Sequence, residues 1–126
     1  MVLGGNLSLL CQLLGTSFLP SFKGKLLFLE DKAEPLYRID RMLTHLLLSG
    51  EMERCAGLMI GSFEGCGDED SVVDLVRERC ARLKVPIVAG FPVGHGVCNG
   101  PLPIGARAVL DTKTMSLAFK EPCVSR

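Results

Sequence analysis

Apolar residues fall along this chain in two rhythms, and the alternation between the two sets out a fold. Short unbroken runs occur at Lys25-Leu26-Leu27-Phe28-Leu29-Glu30, from Ala56 to Ile60 and at Pro86-Ile87-Val88-Ala89-Gly90, with Val2-Leu3 as the end of a fourth. Runs of this kind suit strands buried on both faces. Between them the apolar positions recur at helical spacing. Leu7, Leu10, Leu13 and Leu14 follow Asn6, whose side-chain oxygen suits an N-cap, and Gly15 ends that helix. A second helix starts at Glu34-Pro35, carries Leu36, Ile39, Leu43, Leu46 and Leu47 on one face, and stops at Gly50. A third, capped by Asp70 or Ser71, buries Val72, Val73, Val76, Cys80 and Leu83. Last, Arg107 to Leu110 and Met115 to Phe119 flank the turn Asp111-Thr112-Lys113-Thr114 and predict a hairpin. The order βαβαβαβ plus a hairpin predicts an α/β fold, with a mostly parallel sheet and a C-terminal antiparallel hairpin.

Composition adds bounds. The 126 residues suffice for one domain with a real core, and 48% of them are hydrophobic. A mean hydropathy of +0.33 is high for a domain of this size and suggests an apolar face normally covered by something else. Basic and acidic residues balance at 14 each, without a basic cluster, and there is one tyrosine and no tryptophan, so nucleic acid is an unsuitable partner. Residues 1–22 carry no charged side chain. A signal peptide would need a basic start, and Gly4-Gly5-Asn6 and Gln12 interrupt the apolar run. No stretch reaches the roughly 18 apolar residues of a membrane span. The six cysteines form no C-x-x-C pair, and Cys11, Cys55 and Cys80 stand where apolar residues belong. They read as reduced core thiols of a cytoplasmic protein.

The chemistry gathers in the glycine- and proline-rich stretch from Val85 to Gly105. His95 sits there between Gly94 and Gly96, an imidazole freed of neighbouring bulk and suited to proton transfer. Glu30 and His95 both follow the C-terminal ends of strands, where open α/β sheets carry their sites. A carboxylate and a histidine are two parts of a hydrolase triad, and the nucleophile is the gap. No G-x-S-x-G elbow occurs. Ser62 follows a strand but runs into an acidic loop, and Cys98 shares the loop of His95. A metal held by His95, Cys98, Glu30 and Asp31 would lack any standard spacing. His45, off its helix's apolar stripe, reads as a solvated side chain.

The residues resemble a known family. Gly4-Gly5-Asn6-Leu7 with Leu13 and Gly15-Thr16, Leu29-Glu30-Asp31 with Glu34, and Tyr37-Arg38-Ile39-Asp40-Arg41 look like the C-terminal half of the LD-carboxypeptidases. So do Gly61 with Phe63, Pro86 with Gly90, Gly94-His95, Asn99, and Leu102-Pro103-Ile104-Gly105. The likeness runs from Gly4 to about Phe119, so residues 1–126 read as one such domain. It implies a swivelling β/β/α-type domain of a cytoplasmic serine peptidase whose N-terminal domain carries the nucleophile and oxyanion hole. Glu30 and His95 then fall on the family's catalytic glutamate and histidine, in the order Ser…Glu…His. Asn6 and Asn99 are expected to contact substrate. The implied substrate is a muropeptide tetrapeptide cut before its terminal D-alanine, without metal or organic cofactor. Microcin-immunity peptidases share this architecture, and Leu29-Glu30-Asp31 looks closer to the peptidoglycan-recycling branch.

The nucleophile domain is absent from these 126 residues, so an excised domain or truncated product, inactive by itself, is expected. Its uncovered face favours a homo-oligomer. Two other readings compete: a non-catalytic ligand-binding module with contacts at Asn6, Glu30 and His95, and a thiol hydrolase using Cys98 with His95. Hydrogen-bonding reach between the Glu30 carboxylate and a ring nitrogen of His95 is the first geometric requirement of the triad reading.

Overall fold

A computed structural model describes residues 1–124. Four strands, β1 (Val2–Asn6), β2 (Leu26–Lys32), β3 (Gly57–Glu64) and β4 (Ile87–Ala89), form one parallel sheet in the order β1-β2-β3-β4. The connections carry α1 (Leu7–Gln12), α2 (Leu36–Leu48) and α3 (Glu69–Arg79). A separate antiparallel hairpin, β5 (Ala108–Asp111) with β6 (Ser116–Phe119), closes the described chain. This is the α/β architecture that the apolar rhythm predicts.

The sheet is buried on both faces, which is why its strands read as unbroken apolar runs. Leu27 and Leu29 of β2, with Leu58 and Ile60 of β3, pack on Leu7 and Leu10 of α1, Ile39, Leu43 and Leu46 of α2, and Val72 and Val76 of α3. All three helices therefore lie on one face. The residues of opposite parity, Leu26 and Phe28 with Val2 and Met59, meet Phe91, Val93 and Leu102 of the long loop and Ala108, Leu110, Leu117 and Phe119 of the hairpin. Thus β2 sends alternate side chains to helices and to loop.

Several boundaries differ from the sequence reading. α1 ends at Gln12, and the N–H groups of Leu13, Leu14 and Thr16 return to carbonyls three residues back in turns. Pro35 is the extended N-cap of α2 rather than its first helical residue. α3 is capped by Asp68, whose carboxylate accepts the Ser71 N–H at 2.9 Å, in place of Asp70 or Ser71. The largest difference is β3. Gly61-Ser62 does not close it; the strand runs on to Glu64. Leu29 stands opposite Ile60 and Asp31 opposite Phe63, so Gly61 and Ser62 together face the single residue Glu30. That is a β-bulge, one extra residue on the bulged strand, and it re-aims the side chains that follow.

Asp31, buried beside Glu30 in sequence, faces the other way. Its carboxylate accepts Ser8 N–H at 2.9 Å, Asn6 Nδ2–H at 3.0 Å and Lys32 N–H at 2.8 Å, tying the start of α1 to the end of β2. Removing it leaves three part-buried donors without that acceptor. Asp31→Ala is expected to lower the free energy of unfolding by about 2 kcal/mol or more. Urea denaturation checks this; a loss below about 0.5 kcal/mol, the ordinary level of a surface change, would contradict it.

Candidate active site

The site forms where β1, β2 and β3 end under the loop from Phe91 to Gly105. Glu30 belongs to the parity of Leu26 and Phe28, so it points to the loop side of the sheet. His95 Nδ1 lies 2.7 Å from Glu30 Oε2. The Glu30 side chain is 7% exposed and that of His95 47%. A carboxylate oxygen can accept from Nδ1–H, an arrangement that leaves Nε2 as the ring nitrogen without a partner among the described residues.

Glycine makes the approach feasible. A Cβ on Gly94, whose φ is +124°, would stand 2.5 Å from Ser62 Oγ and 2.8 Å from Glu30 Oε2. A Cβ on Gly61 would stand 2.5 Å from the Val93 carbonyl oxygen and 2.6 Å from the Phe28 ring. Neither position has room for a side chain. Ser62 N–H donates to the Val93 carbonyl at 2.9 Å, so the loop is laced to β3 beyond the bulge.

The pair opens into a cleft of about 390 Å³, lined among others by Gly4, Gly5, Phe28, Asn99, Leu102 and Ile104. Asn99 borders it and spends its Oδ1 on the Gly94 N–H, 3.1 Å away. Asn6 is not among the lining residues. Its Oδ1 accepts Leu9 N–H at 3.1 Å and the Ser8 hydroxyl at 2.6 Å, and its Nδ2 donates to Asp31, so the side chain is committed to starting α1. Ser62 Oγ accepts the Gly96 N–H at 3.0 Å. Ser62, a nucleophile candidate by its place after a strand, thus braces the loop; the Gly-Ser pair inside an apolar strand is the sequence signal of a bulge.

The other groups considered do not converge. Asp31 faces the helices, away from Glu30, and among the described residues no three His, Cys, Asp or Glu side chains are arranged to hold a metal. Cys98 is exposed, and no hydrogen bond links it to His95 among the described residues. All six cysteines are free thiols. Burial pushes the thiols of Cys11 and Cys80 up to about 11 and raises those of Cys55 and Cys66, which makes these four poor nucleophiles. His45 is exposed on α2. Among the described residues no helix is long and apolar enough to cross a membrane.

Comparison with known proteins identifies the family of the chain. Residues 1–110 match the model of the LD-carboxypeptidase C-terminal domain. The murein tetrapeptide carboxypeptidase of Pseudomonas aeruginosa is 37% identical over 114 residues, covering 87% of this chain and 37% of the relative. The crystal structure of muramoyltetrapeptide carboxypeptidase from Oxalobacter formigenes superposes with a TM-score of 0.81 at 34% identity, over 93% of this chain and 43% of that one. The microcin C7 self-immunity protein MccF of Escherichia coli is 24% identical over 128 residues, spanning 98% of this chain and 37% of the relative. Its structure superposes at a TM-score of 0.86 and 23% identity, a likeness of fold. The chain thus spans about two fifths of the length of the relatives it matches.

The close approach at Gly94 yields a test. Gly94→Ala is expected to drive the loop off the sheet and carry His95 beyond hydrogen-bonding reach of Glu30. Gly96→Ala, whose new Cβ would meet Ser62 Cβ at 3.3 Å without a positive φ, is expected to keep the pair. Crystal structures of the two variants decide it; an intact pair in Gly94→Ala would contradict the packing argument.

Proposed function

Because the chain belongs to the LD-carboxypeptidase C-terminal domain family, we propose that it supplies the glutamate and histidine of a Ser–Glu–His triad in a serine-type carboxypeptidase. The observation that carries the proposal is the 2.7 Å contact between Glu30 and His95 at an open cleft, with Nε2 unpartnered among the described residues. His95 Nε2 takes the proton of a serine hydroxyl as it attacks the scissile carbonyl, and later returns it to the leaving amine. Glu30 holds the ring in the Nδ1–H tautomer and stabilises the imidazolium between those steps. The serine and the oxyanion hole come from a domain outside these 126 residues. Two fifths of the relatives' length is room for only part of such an enzyme.

The substrate we infer is a muropeptide tetrapeptide that loses its terminal D-alanine in the cytoplasm. Identities of 37% and 34% to enzymes named for murein or muramoyl tetrapeptides, against 24% to the microcin immunity protein, favour this branch. Asn99 would meet substrate through its Nδ2, which has no hydrogen-bond partner among the described residues. The apolar side chains of Val97, fully exposed, and Ile104, half exposed at the cleft, suit a face covered by the nucleophile domain or by a second copy.

The purified chain is expected to leave an LD-tetrapeptide uncut. Joined to a nucleophile domain from a relative, it is expected to release D-alanine, and Glu30→Gln or His95→Gln should lower kcat by about three orders of magnitude or more. Chromatographic detection of D-alanine reads both. Cleavage by the chain alone that depends on His95, or a joined protein indifferent to both substitutions, would refute the proposal.

A further inference from the structure

The backbone N–H groups on either side of His95 each end on a side-chain oxygen, Gly94 on Asn99 and Gly96 on Ser62. The two anchors differ in kind. Asn99 belongs to the same loop, so its bond folds the loop on itself. Ser62 belongs to β3, so its bond fastens the loop to the sheet that carries Glu30. Ser62 reaches the loop because of the bulge: two successive residues, Gly61 and Ser62, both contact it, which a regular strand would forbid. The Ser62 N–H is also given to the loop, at the Val93 carbonyl. The hydroxyl and Glu30 Oε2 crowd the same point above Gly94. Among the described residues no hydrogen bond joins Ser62 Oγ to a ring nitrogen of His95, so nothing activates it as a nucleophile.

We propose that Ser62 is a positioning residue that holds the His95 imidazole against Glu30, an inference that rests on the acid–base reading of the pair. Its hydroxyl clamps the Gly96 amide, one residue from the histidine, onto β3. The bulge exists to aim that hydroxyl. Without the clamp the loop stays tied to β3 at Phe91 and Val93, while the stretch from Gly94 to Asn99, folded through Asn99, loosens beyond that tie, so the ring samples positions out of reach of the carboxylate.

The test is nuclear magnetic resonance on the ¹⁵N-labelled chain as it stands, with Ser62→Ala, Ser62→Thr, Ser62→Val and Asn99→Ala beside it. The wild-type chain should show a single Nδ1–H tautomer for His95 with a slowly exchanging ring proton. Ser62→Ala should average the two ring nitrogens and speed amide exchange at Gly96 by roughly five- to tenfold, the loss of one net hydrogen bond. Amides of β2 and α2 should keep their protection. Threonine should restore the wild-type signature and its isostere valine should not, which repeats the comparison at constant volume should alanine disturb the fold. Asn99→Ala should speed exchange at Gly94 while the His95 signature persists. An unchanged His95 signature in both Ser62→Ala and Ser62→Val, or a loss that threonine fails to restore, would overturn the role of Ser62. A wild-type spectrum lacking the Nδ1–H signature would instead overturn the acid–base reading on which it rests.

Discussion

The close approach of the loop backbone to the ends of β2 and β3 is the constraint on which the site depends. It brings the Cα of Gly94 so near to Glu30 and Ser62 that no side chain fits between them, and only then does His95 come within 2.7 Å of Glu30. A carboxylate that is 7% exposed needs a hydrogen-bond partner. The imidazole supplies that partner, and its other ring nitrogen has none among the described residues. Loop packing and the pairing of the buried Glu30 are thus one arrangement.

The fold serves this arrangement through parity. Along β2, Leu27, Leu29 and Asp31 face the helices, while Leu26, Phe28 and Glu30 face the loop and hairpin. Adjacent carboxylates therefore do unrelated work. Asp31 caps the start of α1 and is structural; Glu30 meets the histidine. Opposite Glu30 the bulge in β3 presents Gly61, which admits the Phe28 ring and the Val93 carbonyl, and then Ser62, which binds the Gly96 N–H. One extra residue lets a single strand contribute both the space and the clamp.

Much of this was legible in the sequence, for physical reasons. Strands buried on both faces leave continuous apolar runs, and the helices between them carry ordinary 3.6-residue stripes, so element order and sheet type followed. Asn6 as the cap of α1 was likewise readable from residue type. Other features were not. Glycine and serine are turn residues by local preference, which suggests a strand end at Gly61-Ser62, whereas pairing of Phe63 with Asp31 and of Glu64 with Lys32 in β2 carries the strand on to Glu64. The α3 cap fell on Asp68 because the run from Asp68 to Ser71 offers several capping side chains, and helix packing selects among them. Apolar patterning could not say which of Glu30 and Asp31 faces the loop, since it does not reveal which face of a doubly buried strand carries the site.

Activation of a serine from outside by this chain's histidine is the central claim, and fluorophosphonate labelling reads it most directly. The chain would be joined to a nucleophile domain from a relative, labelled, and mapped by mass spectrometry. The account predicts label on the nucleophile domain's serine, dependent on His95, and none on the chain by itself. Label on Ser62 or elsewhere in these 126 residues, or labelling of the partner serine that survives His95→Ala, would contradict it.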